Sequence, residues 1–403
     1  MPNDTFNKDE INRLINSAWE SALRHKFEER LQQLGITKNQ AVENLEVTSR
    51  TLDGILDGTL KQVDFISLLK VGHFLEVSYE EVTKLYTQSV TAKHGDDLEQ
   101  SKRRSFILNN FDLPTLKSIG VIDSIRDFEH IEKRLNQLLG LNIITDFEIG
   151  SPEAAFCSTS RIPKSLNSRK YFIAKANAVF KAVKNYHDYN RDSLVNYFQN
   201  IRWHSMDVDN GLFKVISTLY SLGVTVIFLP KMPKLAMRGA TFAVNNKPCI
   251  VLTDYRGSYP TLWFALIHEL FHVLFDWEEI LMNKYHLSDE ESDLFIVQQK
   301  EAQANGFARE FMISKTQRQI VADRISDMLY VKEFAIQNHI HPSIVYAHYA
   351  YEHSDDVNNY WIQFKDYLPS IKILLNKLGS GMEHTSSAQE IANFYKTQIF
   401  NER

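Results

Sequence analysis

His268, Glu269 and His272 fall within five positions of "TLWFALIHELFHVLF", residues 261–275, a stretch whose remaining residues after Thr261 are all apolar. Two histidines four apart on a helix share one face, one turn apart, so their imidazole nitrogens converge. Neutral imidazole is a metal donor, and two nitrogens in that register suit a single zinc ion. Glu269, next to the first histidine, can reach a water in an open coordination position and act there as general base. Three ionisable groups in an apolar helix are costly to bury unless a metal and hydrogen bonds compensate. The implied chemistry is metal-assisted hydrolysis, for which HExxH spacing is a signature.

A catalytic zinc takes three protein ligands and keeps a fourth position open. In "QQKEAQANGFAREF", Glu301 and Asn305 lie four apart on a second helical pattern. Glu301 reads as the third ligand, and Asn305 as the group that orients a ligating histidine. Glu278, Glu279, Asp289, Glu290, Glu291 and Asp293 compete for the ligand role, but they crowd a charged connection that suits a solvated loop. His286, His339 and His341 are candidates for oxyanion stabilisation, each with a structural role as the alternative. Cys249, just upstream, either caps a zinc or is an ordinary buried thiol.

The elements that must position these residues follow from periodicity. Runs at 224–230 ("VTVIFLP"), 239–246 ("GATFAVNN") and 248–254 ("PCIVLTD") read as three strands, the last two joined by a turn at "NNK". Before residue 88 come five short helical patterns, with Thr37 and Gln40 as a capping box, Thr48 as an N-cap and Gly58 as a stop. Residues 89–105, "SVTAKHGDDLEQSKRRS", are polar, mixed in charge and without apolar periodicity, the marks of a linker. The expected organisation is an all-helical module over 1–88, a linker over 89–105, a helical connecting region over 106–223, a core over 224–325 holding a small three-stranded sheet and the His-bearing helix, and a helical region over 326–403. The fold class is mostly α with one α+β domain.

A net charge of −5 argues against a chain that coats nucleic acid nonspecifically, so any DNA contact is local. Cys157 and Cys249 are the only cysteines, too few for a disulfide framework. "MPNDTFNKDEINRL" lacks the basic and apolar regions of a secretory signal, and no apolar run approaches the roughly 18 residues needed to span a bilayer. The expected setting is a cytoplasmic protein without a membrane partner.

"GATFAVNNKPCIVLTDYRGSYPTLWFALIHELFHVLF", "EAQANGFAREFMIS" and "HIHPSIV" together resemble the ImmA/IrrE family of zinc metallopeptidases, in the long form that carries an N-terminal Xre-type helix-turn-helix. The resemblance implies Zn2+ held by His268, His272 and Glu301, Glu269 as catalytic base, and a zincin (gluzincin-like) core of a short sheet backed by the active-site helix. The chain departs from it at Phe271, where many members have Gly, and at "MISK", where a Pro is common. Neither departure touches a metal ligand.

"TKNQAVENLEVTSRTLDGILDGT" is similar to the helix-turn-helix of lambda repressor and Cro relatives. Ala41 would pack between helices, Val47 sit at the turn, and Thr48, Ser49, Arg50 and Thr51 open a recognition helix that reaches bases or phosphates. Against DNA stand eleven Lys and Arg to fourteen Asp and Glu in residues 1–95, Asp53 and Asp57 on that helix, the helix-weakening Gly54, and Leu56 where many relatives have Glu. A protein-docking or dimerising module is the alternative. The expected function is a zinc endopeptidase acting on a repressor or antitoxin-like protein in stress, phage defence or mobile-element control. The alternative is a DNA-binding regulator or antitoxin whose zincin domain serves as sensor or docking scaffold; self-cleavage near 89–105 is a third reading. A homodimer is compatible with each.

Overall fold

Short polar residues sit where the helix ends of the first unit need them. Thr37 and Gln40 form the capping box: the Gln40 N–H donates to Thr37 Oγ1 (3.4 Å) and the Thr37 N–H to Gln40 Oε1 (2.8 Å). Thr48 Oγ1 accepts from the Thr51 N–H at 3.1 Å. The computed structural model describes residues 21–147, 166–255, 257–289, 295–355, 357–379 and 384–401. Cys157, the N-terminal "MPNDTFNKDEINRL" and the acids Glu290, Glu291 and Asp293 lie outside the described residues.

The chain forms two units, one ending at Ser105 and one beginning at Phe106. Among the described residues the first holds α1 (Ala22–Leu34), α2 (Lys38–Leu45), α3 (Ser49–Leu56), α4 (Phe65–Phe74) and most of α5 (Tyr79–Asn110). Leu23, Phe27, Ala41, Leu52, Ile55, Leu68, Val71 and Val82 form its core. Gly58 follows α3 with φ of 64°, and a Cβ there would meet the Ser89 backbone at 2.5 Å, so the residue both stops α3 and lets α5 pass. Residues 89–105, whose composition reads as a linker, are helical within α5, with a kink at His94 (φ −120°, ψ 24°). Lys102 pairs with Glu99 at 3.5 Å and Arg104 with Gln100 at 3.0 Å. A solvent-facing helix held by such pairs shows no apolar stripe, which is why composition alone suggests a loop.

The second unit begins with α6 (Leu113–Ser118), α7 (Phe128–Leu139), α8 (Leu166–Val183), α9 (Arg191–Ile201) and α10 (Gly211–Ser221). The sheet comprises β1 (Thr225–Phe228), β2 (Met237–Val244), β3 (Lys247–Leu252) and β4 (Tyr285–Asp289), in the order β1-β3-β2-β4. The expected three-stranded sheet is therefore corrected to four strands. β4, "YHLSD", is short and polar and adjoins an acidic stretch, so it carries no alternation to read. β1 runs parallel to β3, and β2 is antiparallel to both β3 and β4. The β2–β3 turn places Asn245 and Asn246 at positive φ (53° and 58°), the geometry of a tight hairpin of matching twist.

Between β3 and β4 lie α11 (Tyr259–Phe275), which carries the His-Glu-His trio, and α12 (Trp277–Asn283); α13 (Phe295–Met312) follows and carries Glu301. The remaining helices are α14 (Lys315–Ala322), α15 (Met328–Gln337), α16 (Pro342–His353), α17 (Tyr360–Gln363), α18 (Lys372–Lys377) and α19 (Ala388–Phe394). Strand alternation settles what each face of the sheet meets. Thr241 faces α11, where it bonds Glu269, and Phe242 turns the other way to meet Phe180 of α8 with ring centroids 5.6 Å apart. No helix among the described residues is long and apolar enough to cross a membrane.

Candidate metal centre

α11 is buried along nearly its whole length because its residues are apolar on every side, and Pro260 in its first turn fits where no intrahelical N–H is needed. That burial includes the trio: His268, Glu269 and His272 are 5%, 1% and 0% exposed. The i, i+4 spacing sets His268 Nε2 and His272 Nε2 3.2 Å apart. Glu301, from α13, places Oε2 3.2 Å from His268 Nε2 and Oε1 3.4 Å from His272 Nε2. One ligand atom from each of these three residues lies within 4.8 Å of the others.

The outer nitrogens of both rings are engaged. His268 Nδ1 meets Asn305 Oδ1 at 3.1 Å, and His272 Nδ1 meets Asp276 Oδ2 at 2.7 Å. Oxygen acceptors at both Nδ1 atoms take a ring hydrogen there, which leaves the two Nε2 atoms facing one another and the Glu301 carboxylate. Two Nε2 atoms and a carboxylate converging on one point call for positive charge between them, a ring proton when no metal is bound and a cation in its place when one is. The donor set of two imidazoles and a carboxylate, each oriented from behind, fits zinc.

Electrostatics agree with that fit. Burial opposes ionisation of Glu301, but hydrogen bonds from His268, His272 and His286 outweigh it and hold the carboxyl far below the usual range. Burial likewise opposes protonation of His272, yet its bonds to Asp276 and Glu301 push it up to about 9.

Glu269 is set apart from the ligands. Its Oε2 accepts from Thr241 Oγ1 at 2.8 Å, and its carboxylate lies over Gly239, where a Cβ would stand 2.7 Å from Oε1. Of the three further histidines weighed, His286 alone reaches the cluster, donating to Glu301 Oε1 at 2.7 Å with its ring centroid 4.0 Å from that of His272. It arrives by the β2–β4 register, which sets it opposite Thr241. His341 accepts from the Ser343 N–H at the start of α16, and His339 lies by Trp203 with ring centroids 4.9 Å apart.

Residues 220–335 match the family model of the IrrE N-terminal-like domain, a peptidase family. Comparison with curated proteins and with solved structures gives no match. The matched segment takes in the four-stranded sheet, α11 and α13, and with them every residue of the cluster just described. Phe271 packs on Phe307 of α13 and Phe275 of its own helix, with centroids 5.4 and 4.6 Å away, and so wedges the two metal-site helices together. Asp276 and Thr241 are the residues that sequence reasoning missed. Asp276 carried a readable signal, four positions beyond His272 on the same face; Thr241 carried none.

Cys249 is buried in β3 opposite Phe242, and burial pushes its thiol up to about 12. Cross-strand partners share a face, so the thiol lies across the sheet from Thr241 and Glu269. In the first unit, Thr48, Ser49 and Arg50 are exposed at the start of α3, with Thr51 partly so. Asp53 of α3 and Asp57 just after it are paired internally: Arg24 bonds Asp53 (3.0 Å) and Asp57 (2.5 Å), and Lys38 bonds Asp53 (2.6 Å).

Proposed function

We propose that the chain is a zinc-dependent endopeptidase that cleaves a regulatory protein, repressor or antitoxin-like, and so switches transcription in stress response, phage defence or mobile-element control. The observation that carries this reading is the convergence of His268, His272 and Glu301 with Glu269 held beside them. His268, His272 and Glu301 would hold the ion. Zinc, when bound, supplies Lewis acidity toward water and a peptide carbonyl. Glu269 takes the proton of the attacking water on Oε1, its Oε2 being fixed by Thr241, and returns it to the leaving amine nitrogen. The IrrE N-terminal-like match supports peptide hydrolysis over other hydrolytic chemistry.

Glu269→Gln tests this. The variant is expected to keep its zinc, measured by metal analysis of the purified chain, and to lose about 10²–10⁴-fold in peptide cleavage. A variant that binds zinc and keeps its full biological effect would sink the peptidase reading and favour the sensor or docking reading.

The same proposal includes an Xre-type helix-turn-helix in the first unit, with Thr48, Ser49, Arg50 and Thr51 toward DNA. Exposure of these residues, and the neutralisation of Asp53 and Asp57 by Arg24 and Lys38, support it. Affinity for duplex DNA should fall with salt and with Arg50→Ala. Binding indifferent to both would point to a protein-docking module.

A further inference from the structure

Beside the metal cluster, α11, α13 and α16 enclose a cavity of about 410 Å³. Arg238 and Phe264 line both this cavity and the cleft over His268, Glu269, Glu301 and Asn305. Phe264 precedes His268 by one helical turn and Arg309 follows Asn305 by one turn. The cavity therefore extends the cleft by one turn along both metal-site helices.

Its walls are apolar, with Phe264, Met312, Ile344 and Trp361 contributing. Its charged groups are all of one sign: Arg238 and Arg309 line it, and no carboxylate does so among the described residues. The Arg309 guanidinium lies 5.0 Å from the Tyr351 ring centroid and has no carboxylate partner among the described residues. His348, also in the wall, is 8% exposed and has no hydrogen-bond partner among the described residues. Burial and the positive charges of Arg318 and Arg309 push its imidazole down to about 3, so it is neutral at pH 7. Its ring nitrogens are not sealed from solvent, so a ligand in the cavity can pair with them.

We propose that this cavity binds a bulky apolar body with an anionic head, supplied by a large apolar residue and an adjacent Asp or Glu of the peptide that occupies the adjoining cleft. The head pairs with Arg309 and His348, and the body displaces water from Phe264, Ile344 and Trp361. The peptide source rests on the metallopeptidase reading; the chemistry of the cavity does not.

Calorimetric titration of the full chain with 3-phenylpropionate and with its neutral isostere 3-phenylpropionamide tests the site without any substitution. The acid is expected to bind, and the amide at least about tenfold more weakly. Arg309→Gln should reduce the acid to the amide's level, and Ala347→Trp, which fills the cavity, should abolish both. Equal binding of acid and amide, or acid binding untouched by both substitutions, overturns the proposal. In a second arm, a library of quenched peptides is cleaved by the zinc-loaded chain. Cleaved sequences should be enriched in a large apolar residue beside Asp or Glu, and phenylpropionate should raise KM without changing kcat. A change in kcat alone overturns the peptide source and assigns the cavity to a free acid. Acid binding with no peptide cleaved at all overturns the peptidase reading and leaves the cavity standing.

Discussion

Asp276 and Asn305 hold the two imidazoles from behind, one from the end of the helix that carries them and one from α13. Each fixes a tautomer and a ring direction, so neither needs to touch zinc to matter for its binding. Asp276→Ala is therefore expected to weaken zinc binding by about 10–100-fold, measured by competition with a chromophoric chelator on a variant whose circular dichroism shows it folded. Unchanged zinc affinity would show that Asp276 serves only its ion pair with Lys300, 3.4 Å away. At this scale the sequence was most informative where chemistry depended on local spacing. His268, Glu269 and His272 share one helix and Glu301 and Asn305 another, so i, i+4 geometry relates each set before any tertiary contact is known. Thr241 and His286 meet the same site only through the pairing of β2 with β4, a contact between distant segments that no local period encodes.

Among the elements, β2 sets the position of Glu269. Gly239 and Thr241 are two apart on one face of the strand. Thr241 reaches up to bond Glu269, and Gly239 leaves the space in which the rest of that carboxylate lies. Gly239→Ala would put a methyl group 2.7–3.0 Å from the Glu269 side chain, whose 1% exposure leaves it little room to retreat. The expected result is a loss of about 10²-fold in kcat with zinc content unchanged, since the ligands lie on α11 and α13 and not on the strand. Full activity in Gly239→Ala would mean that Glu269 tolerates displacement and that its position is not critical. Element types were legible where burial imposes a period, as in α11, β2 and β3. They were illegible where an element faces water or is short: the polar second half of α5 looks like a loop, and β4 offers only five residues beside an acidic run.

Across the second unit as a whole, distant stretches are held together by a buried lysine. Lys175, on α8, is 5% exposed and donates to the carbonyls of Leu138, at the end of α7 (3.2 Å), and Ser386, just before α19. Burial, reinforced by the positive charge of Arg134 and only partly offset by Glu390, brings its ammonium down to about 7 from the ordinary 10.5. The sign of the linkage follows. Below about pH 7 both folded and unfolded chains carry the proton, and stability does not vary with pH on this account. Between about 7 and 10.5 the unfolded chain holds a proton that the folded chain has released, so stability rises with pH by about 1.4 kcal/mol per unit. Lys175→Met keeps an apolar stem in the same space and removes the titration. Urea unfolding, followed by the tryptophans, four of which (Trp203, Trp263, Trp277 and Trp361) lie in this unit, should show the wild type gaining on Lys175→Met as pH is raised from 7 toward 10. A stability difference that stays flat across that range would mean that the folded chain keeps the ammonium charged and satisfied by its two carbonyl partners, and that the three segments are clamped by a charged group rather than a neutral one.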